Sequence, residues 1–306
     1  MQISSTLVLK IFLAIIITAI FLFFSISLDT ITTSSAIIIH NQEINSSVIT
    51  NKSDLIIRGY TSIVRGNFSQ AIMYFDKMLD IEPNNFIALN GKAAALIEIG
   101  NYSQAIGYSD KVLKLEPNFT GAFINKGTAL ESLGNHSQAI MYFDIALSIN
   151  PNDSAALNDK GISLLNLGKH LEAIMYFDRA LKAEPNNLLA LYNKGVSLLR
   201  LQNYSGSIVY FDKVLNINPD NSDALNGKAY DLINLGNYSQ AVKYSDKTLK
   251  LEPNNVPALV NKGTALESLG NHSQAIEYFN KVLNLEPNNI KALNGKHAAL
   301  EKLRRR

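Results

Sequence analysis

The sequence predicts an all-α protein in which a solenoid of helix pairs follows a single N-terminal transmembrane helix. One observation is a series of prolines at a constant interval of 34 residues, from Pro83 to Pro287, with Pro257 outside the series. Self-similarity at a period of this length is typical of helical repeats that stack on one another. The other is an uncharged, apolar run from Ile11 to Leu28. At the helical rise, this run nearly spans the ~30 Å hydrocarbon core of a bilayer.

Composition excludes several classes of protein. The chain has 306 residues, of which 47% are hydrophobic and 18% charged, so it can form an ordered core. The formal net charge is +2, which gives no electrostatic reason to expect nucleic acid as a partner. Cysteine is absent, and this excludes disulfides, thiolate-bound zinc, iron–sulfur clusters and thiol nucleophiles.

The hydrophobic run lies in residues 1–28, which we interpret as a signal anchor, and a polar tether at 29–51 follows it. Lys10 precedes the run and Asp29 follows it. The positive-inside tendency therefore places the N-terminus in the cytoplasm and the repeats outside, as in a single-pass membrane protein. One alternative is a signal peptide cleaved near Ser25-Ile26-Ser27, which would yield a secreted protein. The other is a buried core helix.

The predicted repeat array occupies residues 52–306. Alignment on the prolines needs no insertion and gives full units followed by a half unit, which is predicted to be a polar capping helix. The units are 52–85, 86–119, 120–153, 154–187, 188–221, 222–255, 256–289 and the half unit 290–306.

Each unit is predicted to contain two helices, as residues 256–289 illustrate. Leu259 and Leu266 recur at helical spacing before a Gly-Asn break. Ser273 then offers an N-cap for a second helix, whose apolar face includes Phe279. Since neither helix can bury its apolar face alone, neighbouring units are expected to stack.

Paired substitutions between the two helices predict close packing within a unit. Where the first helix has glycine, the second has phenylalanine sixteen positions later; where the first has alanine, the second has serine. A methyl group gained beside a ring lost is expected where two helices are in tight contact. The pairs are Gly59/Phe75, Gly127/Phe143, Gly161/Phe177, Gly195/Phe211, Gly263/Phe279, Ala93/Ser109 and Ala229/Ser245.

The pattern resembles the tetratricopeptide (TPR) repeat family over residues 52–306. In the unit 256–289 the family's signature positions hold Leu259, Gly263, Leu266, Gly270, Ala275, Phe279 and Pro287. The family's tryptophan in the first helix is replaced by leucine or phenylalanine throughout, which is an apolar exchange. The resemblance implies a right-handed superhelix whose first helices line a concave groove, and that groove usually holds a peptide.

No constellation for catalysis or metal binding is apparent. Three of the five histidines, His136, His170 and His272, occupy a slot that is aromatic in other units, so we interpret them as structural. Neither a phosphate-binding loop nor a nucleophile elbow occurs. The chain is therefore predicted to be no enzyme, to bind no cofactor or metal and to have no small-molecule substrate.

A series of asparagines recurs in the predicted first helices, at slots that face the groove in the family resembled. An amide side chain both donates and accepts, so a row of amides could hold a peptide backbone. The alternative is that each asparagine bonds a neighbouring helix. The series is Asn90, Asn125, Asn158, Asn193, Asn226, Asn261 and Asn294.

A basic stripe runs beside the asparagines at 34-residue spacing. One interpretation is that the lysine stems cover apolar surface while their ammonium groups reach water. The other is a linear array that binds an acidic partner. The residues are Lys92, Lys126, Lys160, Lys194, Lys228 and Lys262.

Together these features predict a membrane-tethered, non-enzymatic scaffold that binds an extended peptide or protein segment in its groove. The alternative is an accessory subunit that positions a separate enzyme, or a secretion or assembly machine. The predicted partners are a protein or peptide, and a membrane through the N-terminal helix. No nucleic acid is expected.

Overall fold

The computed structural model describes residues 52–305, and within this range the chain is helical with no strand. The predicted transmembrane segment at 1–28 and the tether at 29–51 lie outside the described residues. Among the helices of 52–305, none combines the length and the apolar character that a membrane crossing requires.

Fifteen helices alternate along the described chain, two to each 34-residue unit. The first helices of the units are α1 (52–64), α3 (Phe86–Glu98), α5 (Thr120–Ser132), α7 (Ser154–Asn166), α9 (Leu188–Arg200), α11 (Ser222–Asn234), α13 (Val256–Ser268) and α15 (Ile290–Arg304). The second helices are α2 (Phe68–Ile81), α4 (Tyr102–Leu115), α6 (His136–Ile149), α8 (His170–Ala183), α10 (Tyr204–Ile217), α12 (Tyr238–Leu251) and α14 (His272–Leu285).

The helices group into two compact units, which we describe separately. One extends to Leu167 and ends with α7, and the other begins at Gly168 and contains α8 to α15. Within each unit, consecutive helices pack on one another, and first helices also contact the first helices of adjacent repeats. This is the stacking that the amphipathic pattern of the sequence requires.

Asparagine or aspartate occupies the N-cap position of most described helices, with Phe119 before α5 and Lys169 before α8 as exceptions. The side chain of Asn255 accepts from Ala258 N at 3.0 Å at the start of α13, and Asp153 caps α7 in the same way. At the start of the second helix α14 the capping position is Asn271, and Ser273 lies inside the helix. The prediction that Ser273 is the N-cap was therefore wrong, because the helix begins two residues earlier than the serine pattern suggested.

The turn between the two helices of a repeat needs a left-handed backbone conformation. Gly236 has φ of 78° there, and Gly270 has φ of 80°. In the repeat 188–221 the same position is Gln202, whose φ is 59°. Glycine adopts this conformation without a steric penalty, whereas a residue with a Cβ is strained in it.

Glycine and phenylalanine pack together as the paired substitutions predicted. A Cβ added to Gly59 would lie 2.5 Å from the ring of Phe75, and one added to Gly263 would lie 2.7 Å from Phe279. The rings of Phe75 and Phe279 are at most 1% exposed. Neither glycine can therefore gain a methyl group unless the ring gives way.

A second glycine, from the following repeat, closes the other side of these rings. A Cβ on Gly91 would lie 2.3 Å from Phe75, and one on Gly227 would lie 2.5 Å from Phe211. Phe75 is thus held between Gly59 and Gly91, on the first helices of two successive repeats. The pattern within a single repeat did not reveal this contact.

The last helix, α15, covers the flank of the preceding repeat with Ala292 and Ala299, which are fully buried. Its other face leaves Leu293 46% and Leu300 36% exposed. The helix is therefore less polar on its open side than the lysines and arginines of 290–306 suggested.

Candidate functional site: the groove of the C-terminal repeats

A groove of about 800 Å³ runs along the first helices of the unit that begins at Gly168. The helices α9, α11 and α13 supply its floor, and the start of α15 closes one end. Its principal lining residues are Tyr192, Val196, Leu199, Arg200, Asp223, Asn226, Tyr230, Pro257, Val260, Asn261, Glu286, Ile290 and Lys291.

The groove combines an apolar floor with charges of both signs. Tyr192, Val196 and Val260 belong to the floor, and Tyr230 is 37% exposed within it. Arg200 and Lys291 balance Asp223 and Glu286 at the edges. The surface therefore suits an uncharged or weakly charged segment better than a strongly acidic or basic one.

Tyr192 contributes a polar group, its phenol, to this floor. Burial raises its pKa to about 12, the charge of Asp223 adds to the shift, and Arg200 offsets part of it. The phenol is therefore neutral at physiological pH and can both donate and accept a hydrogen bond.

The asparagine series divides between groove and helix contacts. Asn226 and Asn261 line the groove, although Asn261 is only 7% exposed. Asn158 is buried at 3% exposure, whereas Asn294 on α15 is exposed. The slots that the resemblance placed on the groove thus differ in how much of each amide a ligand could reach.

Several of these amides connect the first helices of successive repeats. Asn125 donates to Asn90, with 2.8 Å from its Nδ2 to the side-chain oxygen and 3.2 Å to the backbone carbonyl. Asn261 Nδ2 lies 3.3 Å from the carbonyl oxygen of Asn226, whose own amide donates to Asn255 Oδ1 at 3.0 Å. For these members the alternative interpretation, a bond to a neighbouring helix, describes the geometry.

The lysine stripe is neutralised by the chain itself. Lys126 donates to Asp110 at 2.6 Å, and Lys92 to Asp76 at 2.5 Å, in each case from a first helix to the second helix of the preceding repeat. The same pairing joins Lys160 to Asp144, Lys194 to Asp178, Lys228 to Asp212 and Lys262 to Asp246. The lysine side chains are 9% to 16% exposed.

Five of these ammonium groups, those of Lys92, Lys126, Lys194, Lys228 and Lys262, also lie over an aromatic ring of their own repeat. The Nζ of Lys126 lies 4.5 Å from the centroid of Tyr142, and that of Lys194 lies 4.4 Å from Tyr210. Burial acts to lower the pKa of Lys194, but bonds to Asp178 and Tyr210 outweigh it and the pKa is raised. The ammonium groups are thus paired with carboxylates of the chain itself, and an acidic partner for the stripe stays a prediction.

A polar network in the compact unit that ends at Leu167 was not predicted. Glu131 accepts from Asn166 Nδ2 at 2.6 Å and from the hydroxyl of Ser163, and it contacts His136 Nδ1 at 2.8 Å. Nearby, the hydroxyl of Thr128 lies 3.0 Å from Asp159. The sequence signal was present, because Glu131 and Asp159 occupy slots that are apolar or glycine in several other repeats.

The acidity of Asp159 follows from its surroundings. Burial raises its pKa to about 6, hydrogen bonds from Thr128 and Asn158 offset part of the shift, and the charges of Asp153 and Glu131 add to it.

Within 52–305, no group of acidic or histidine side chains is arranged to hold a metal ion. His136 and His272 begin second helices, as tyrosines do in other repeats.

Comparison with known proteins agrees with the repeat architecture. Tetratricopeptide-repeat family models match residues 256–289, 222–255 and 65–120, and the model of the Psidin N-terminal TPR repeats region matches residues 95–209. A comparison with curated proteins found no significant match in sequence.

Solved structures show the same fold. YrrB, described as a TPR protein with an unusual peptide-binding site, is 22% identical; the match has a TM-score of 0.53 and covers 62% of this chain and 97% of that one. PilW, a type IV pilus biogenesis factor, is 23% identical with a TM-score of 0.63, over 70% of this chain and 98% of the other. PilF of Pseudomonas aeruginosa is 19% identical with a TM-score of 0.63, over 68% and 95%. With its 34-residue helix pairs and these matches, the chain belongs to the tetratricopeptide repeat family.

Proposed function

We propose that this protein is a non-enzymatic scaffold for protein–protein interaction that binds an extended peptide of low net charge in the groove of residues 188–291. The observation that carries the proposal is the groove itself, about 800 Å³ in volume. This lies within the range of volumes found for ligand sites, and its mixture of apolar floor and few polar groups is typical of them.

Aromatic and apolar side chains supply most of the binding energy in this proposal. Tyr230 is 37% exposed in the unliganded groove, and the Nζ of Lys291 lies 5.8 Å from its ring centroid. A peptide side chain that covers Tyr230 and Val196 would bury apolar surface. The balanced edge charges would then select against strongly charged segments.

Peptide display against the full chain, followed by calorimetry on selected peptides, tests the proposal. Tyr230→Ser should weaken binding at least tenfold, because a groove-centre tyrosine typically contributes strongly to affinity. Met175→Ser is the matched control: this residue is 64% exposed on α8 and outside the lining, and its variant should bind like wild type. Equal binding by both variants would place the peptide elsewhere.

The asparagine hypothesis has its own test at Asn226 and Asn261. If these amides hold the peptide backbone, the double alanine variant should lose affinity while its thermal unfolding stays near wild type. If they serve only the contact between α11 and α13, it should lose stability, since each bond is worth roughly 0.5–1.5 kcal/mol.

Membrane tethering by Ile11 to Leu28 is a further part of the proposal, supported by the length and apolar character of the run. Carbonate-washed membranes should retain the chain, and protease added to intact cells should remove the repeats. A mature protein starting near residue 28 would instead indicate a cleaved signal peptide. Recovery of the full chain in a stoichiometric complex with an enzyme would indicate the alternative role of an accessory subunit.

A further inference from the structure

One buried carboxyl group lies in the contact between two repeats without a partner. Asp231 on α11 is 0% exposed, and neither of its side-chain oxygens has a hydrogen-bond partner. A buried polar group in that condition is costly, and more so if it is charged. Its presence in a slot that is small and uncharged in the other repeats therefore calls for an explanation.

The corresponding slot in other repeats is small and neutral. Residues 89–143 and 225–279 are near-copies of each other, and the near-copy of α11 holds Ala95 in this slot. The helices α5 and α13 hold Ala129 and Ala265 there, and all three alanines are fully buried. In the core the last two each pack beside an alanine of the preceding second helix, Ala105 with Ala129 and Ala241 with Ala265. At the junction of repeats 188–221 and 222–255 that alanine pair is replaced by Ser207 and Asp231.

The hydroxyl of Ser207 does not fully compensate the carboxyl, because it donates to the carbonyl oxygen of Gly195 at 2.9 Å. A neutral Asp231 carries no charge and is therefore less costly to bury in this contact. An ionised Asp231 would place a buried charge there without a hydrogen-bond partner.

Charged neighbours do not compensate an ionised Asp231. Lys228, on the same helix, pairs with Asp212 of α10, and Lys262 of α13 pairs with Asp246 of α12. On the remaining faces, Lys194 of α9 pairs with Asp178, and Glu267 of α13 with Lys302. Burial raises the pKa of Asp231 to about 7, Ser207 offsets part of that shift, and no ionisable group of α9, α10, α12 or α13 contributes to it.

We propose that Asp231 forms a proton-controlled joint in the solenoid: the neutral carboxyl is compatible with the close contact of α10 and α11, and its ionisation loosens that contact. The joint lies beneath the groove, because Asp223, Asn226 and Tyr230 of the same α11 line it. A looser α11 lowers the affinity of the groove for peptide. This second consequence rests on the proposed function, whereas the joint itself does not.

The sign of the pH dependence follows from linkage. The pKa of Asp231 is raised in the closed joint, to about 7, so opening releases a proton between the ordinary aspartate pKa near 4 and about 7. Opening of the joint should therefore increase with pH by up to about tenfold per unit in that window. Above it the carboxyl is ionised in both states, and the dependence should level off.

Hydrogen exchange of the full chain without peptide, followed by mass spectrometry from pH 5 to 8.5, tests the joint. The measured quantity is the protection of α10 and α11 in wild type relative to Asp231→Ala, which carries the residue found in the near-copy of α11. Protection in wild type should fall relative to the variant up to about pH 7 and then stay level. Parallel profiles in the two proteins would overturn the proposal.

Two further variants separate ionisation from shape. Asp231→Asn keeps the size and polarity of the side chain but cannot titrate, so its α10 and α11 protection should follow the pH profile of Asp231→Ala. Asp159→Asn removes the other acid with a strongly raised pKa, and its α10 and α11 should respond to pH as wild type does. A wild-type pH response in Asp231→Asn would show that another group controls the joint, and would overturn the proposal.

The groove consequence is measured with a peptide selected for binding to wild type. Its affinity should be lower at pH 8 than at pH 5.5 for wild type but equal at the two values for Asp231→Asn. If hydrogen exchange of α10 and α11 depends on pH as expected but peptide affinity does not, the joint is supported and its control of groove affinity is rejected. If no peptide binds at any pH, the proposed function fails while the exchange result is unaffected.

Discussion

Two kinds of packing layer, each made of a second helix and the first helices that pack against it, occur within one backbone, and their difference explains much of the sequence. In the layer of α2, Phe75 is enclosed by Gly59 and Gly91. In the next layer, that of α4, the same position is Ser109, whose hydroxyl bonds Ala105 O at 2.9 Å, and Ala93 replaces the glycine. Both Phe75 and Ser109 are fully buried.

The residue of the following repeat that packs against each layer differs between the two kinds of layer as well. Gly91 follows Phe75, whereas Asn125 follows Ser109 at the equivalent position, and the C-terminal near-copy repeats this with Gly227 after Phe211. A buried serine leaves room for an asparagine side chain on the following repeat, whereas a buried phenylalanine ring favours glycine there. This accounts for most of the shift of asparagine between two adjacent slots, although Asp159 follows Phe143 and Asn193 follows Phe177 where the rule requires glycine.

The largest expected effect comes from emptying a phenylalanine layer. Phe211→Ala removes a ring that is fully buried between Gly195 and Gly227, and should cost about 3–5 kcal/mol in the free energy of unfolding. Ser245→Ala, in the serine layer that follows, is the control, since its buried Oγ has no partner and its loss should cost little. Urea unfolding followed by circular dichroism measures both. Comparable losses would show that the layers do not differ as described.

Conversion of a serine layer to a phenylalanine layer is the next test. Ser109→Phe alone should cost about 1–3 kcal/mol because Ala93 and Asn125 occupy the space of the ring. Adding Ala93→Gly and Asn125→Gly should recover a substantial part of that loss, although the bond from Asn125 to Asn90 is given up. A triple variant less stable than the sum of its single variants would contradict the proposed exchange of volumes.

The lysine contacts should not distinguish the layers. Lys92 adjoins the phenylalanine layer through Asp76, and Lys126 the serine layer through Asp110, with similar bonds of 2.5 and 2.6 Å. Methionine at either position keeps most of the apolar stem but loses the ion pair and the ring contact, worth together about 1 kcal/mol. Thermal unfolding at low and high salt should give equal losses at the two sites. A loss of stability at only one of the two sites would show that the ion pair is energetically coupled to the packing layer beside it.

The smallest effect is expected at the turn that lacks glycine. Gln202→Gly relieves a residue at φ 59°, and should raise the free energy of unfolding by roughly 0.5–1 kcal/mol. Gly236→Gln places the same side chain in the next repeat's turn, where φ is 78°, and should have the opposite sign. Differential scanning calorimetry of the two variants measures this. Destabilisation by Gln202→Gly would show that the glutamine side chain makes a contact worth more than the strain.

The sequence predicted the repeat period, the helix pairs and the contacts between Gly59 and Phe75 or Gly263 and Phe279. These follow from local periodicity and from complementary volumes within one repeat. It did not predict Gly91 against Phe75, the lysine–aspartate pairs or the place of Asn271 at the N-cap position of α14. The first two contacts join residues of different repeats. The lysines and aspartates also recur in nearly every repeat, so the sequence offers no variation from which to infer that they pair.

The candidate site was predicted only in part. The resemblance placed asparagines on the groove, and Asn226 and Asn261 do line it, yet Asn125 is engaged with Asn90 instead. Asp231 differs from its counterparts by a single substitution in a slot that is small elsewhere, and only its complete burial identifies it as unusual.

The lysine–aspartate contact also bears on how such a chain can lengthen. Each of the five repeats between residues 86 and 255 carries an aspartate for the lysine of its successor and a lysine for the aspartate of its predecessor, as Lys126 and Asp110 illustrate. A block of repeats that is copied and inserted in register therefore brings edges that already fit the rest. The near-copies 89–143 and 225–279 have the form expected of such an event. An ion pair of small energetic weight would in this way have made duplication tolerable in a single genetic step.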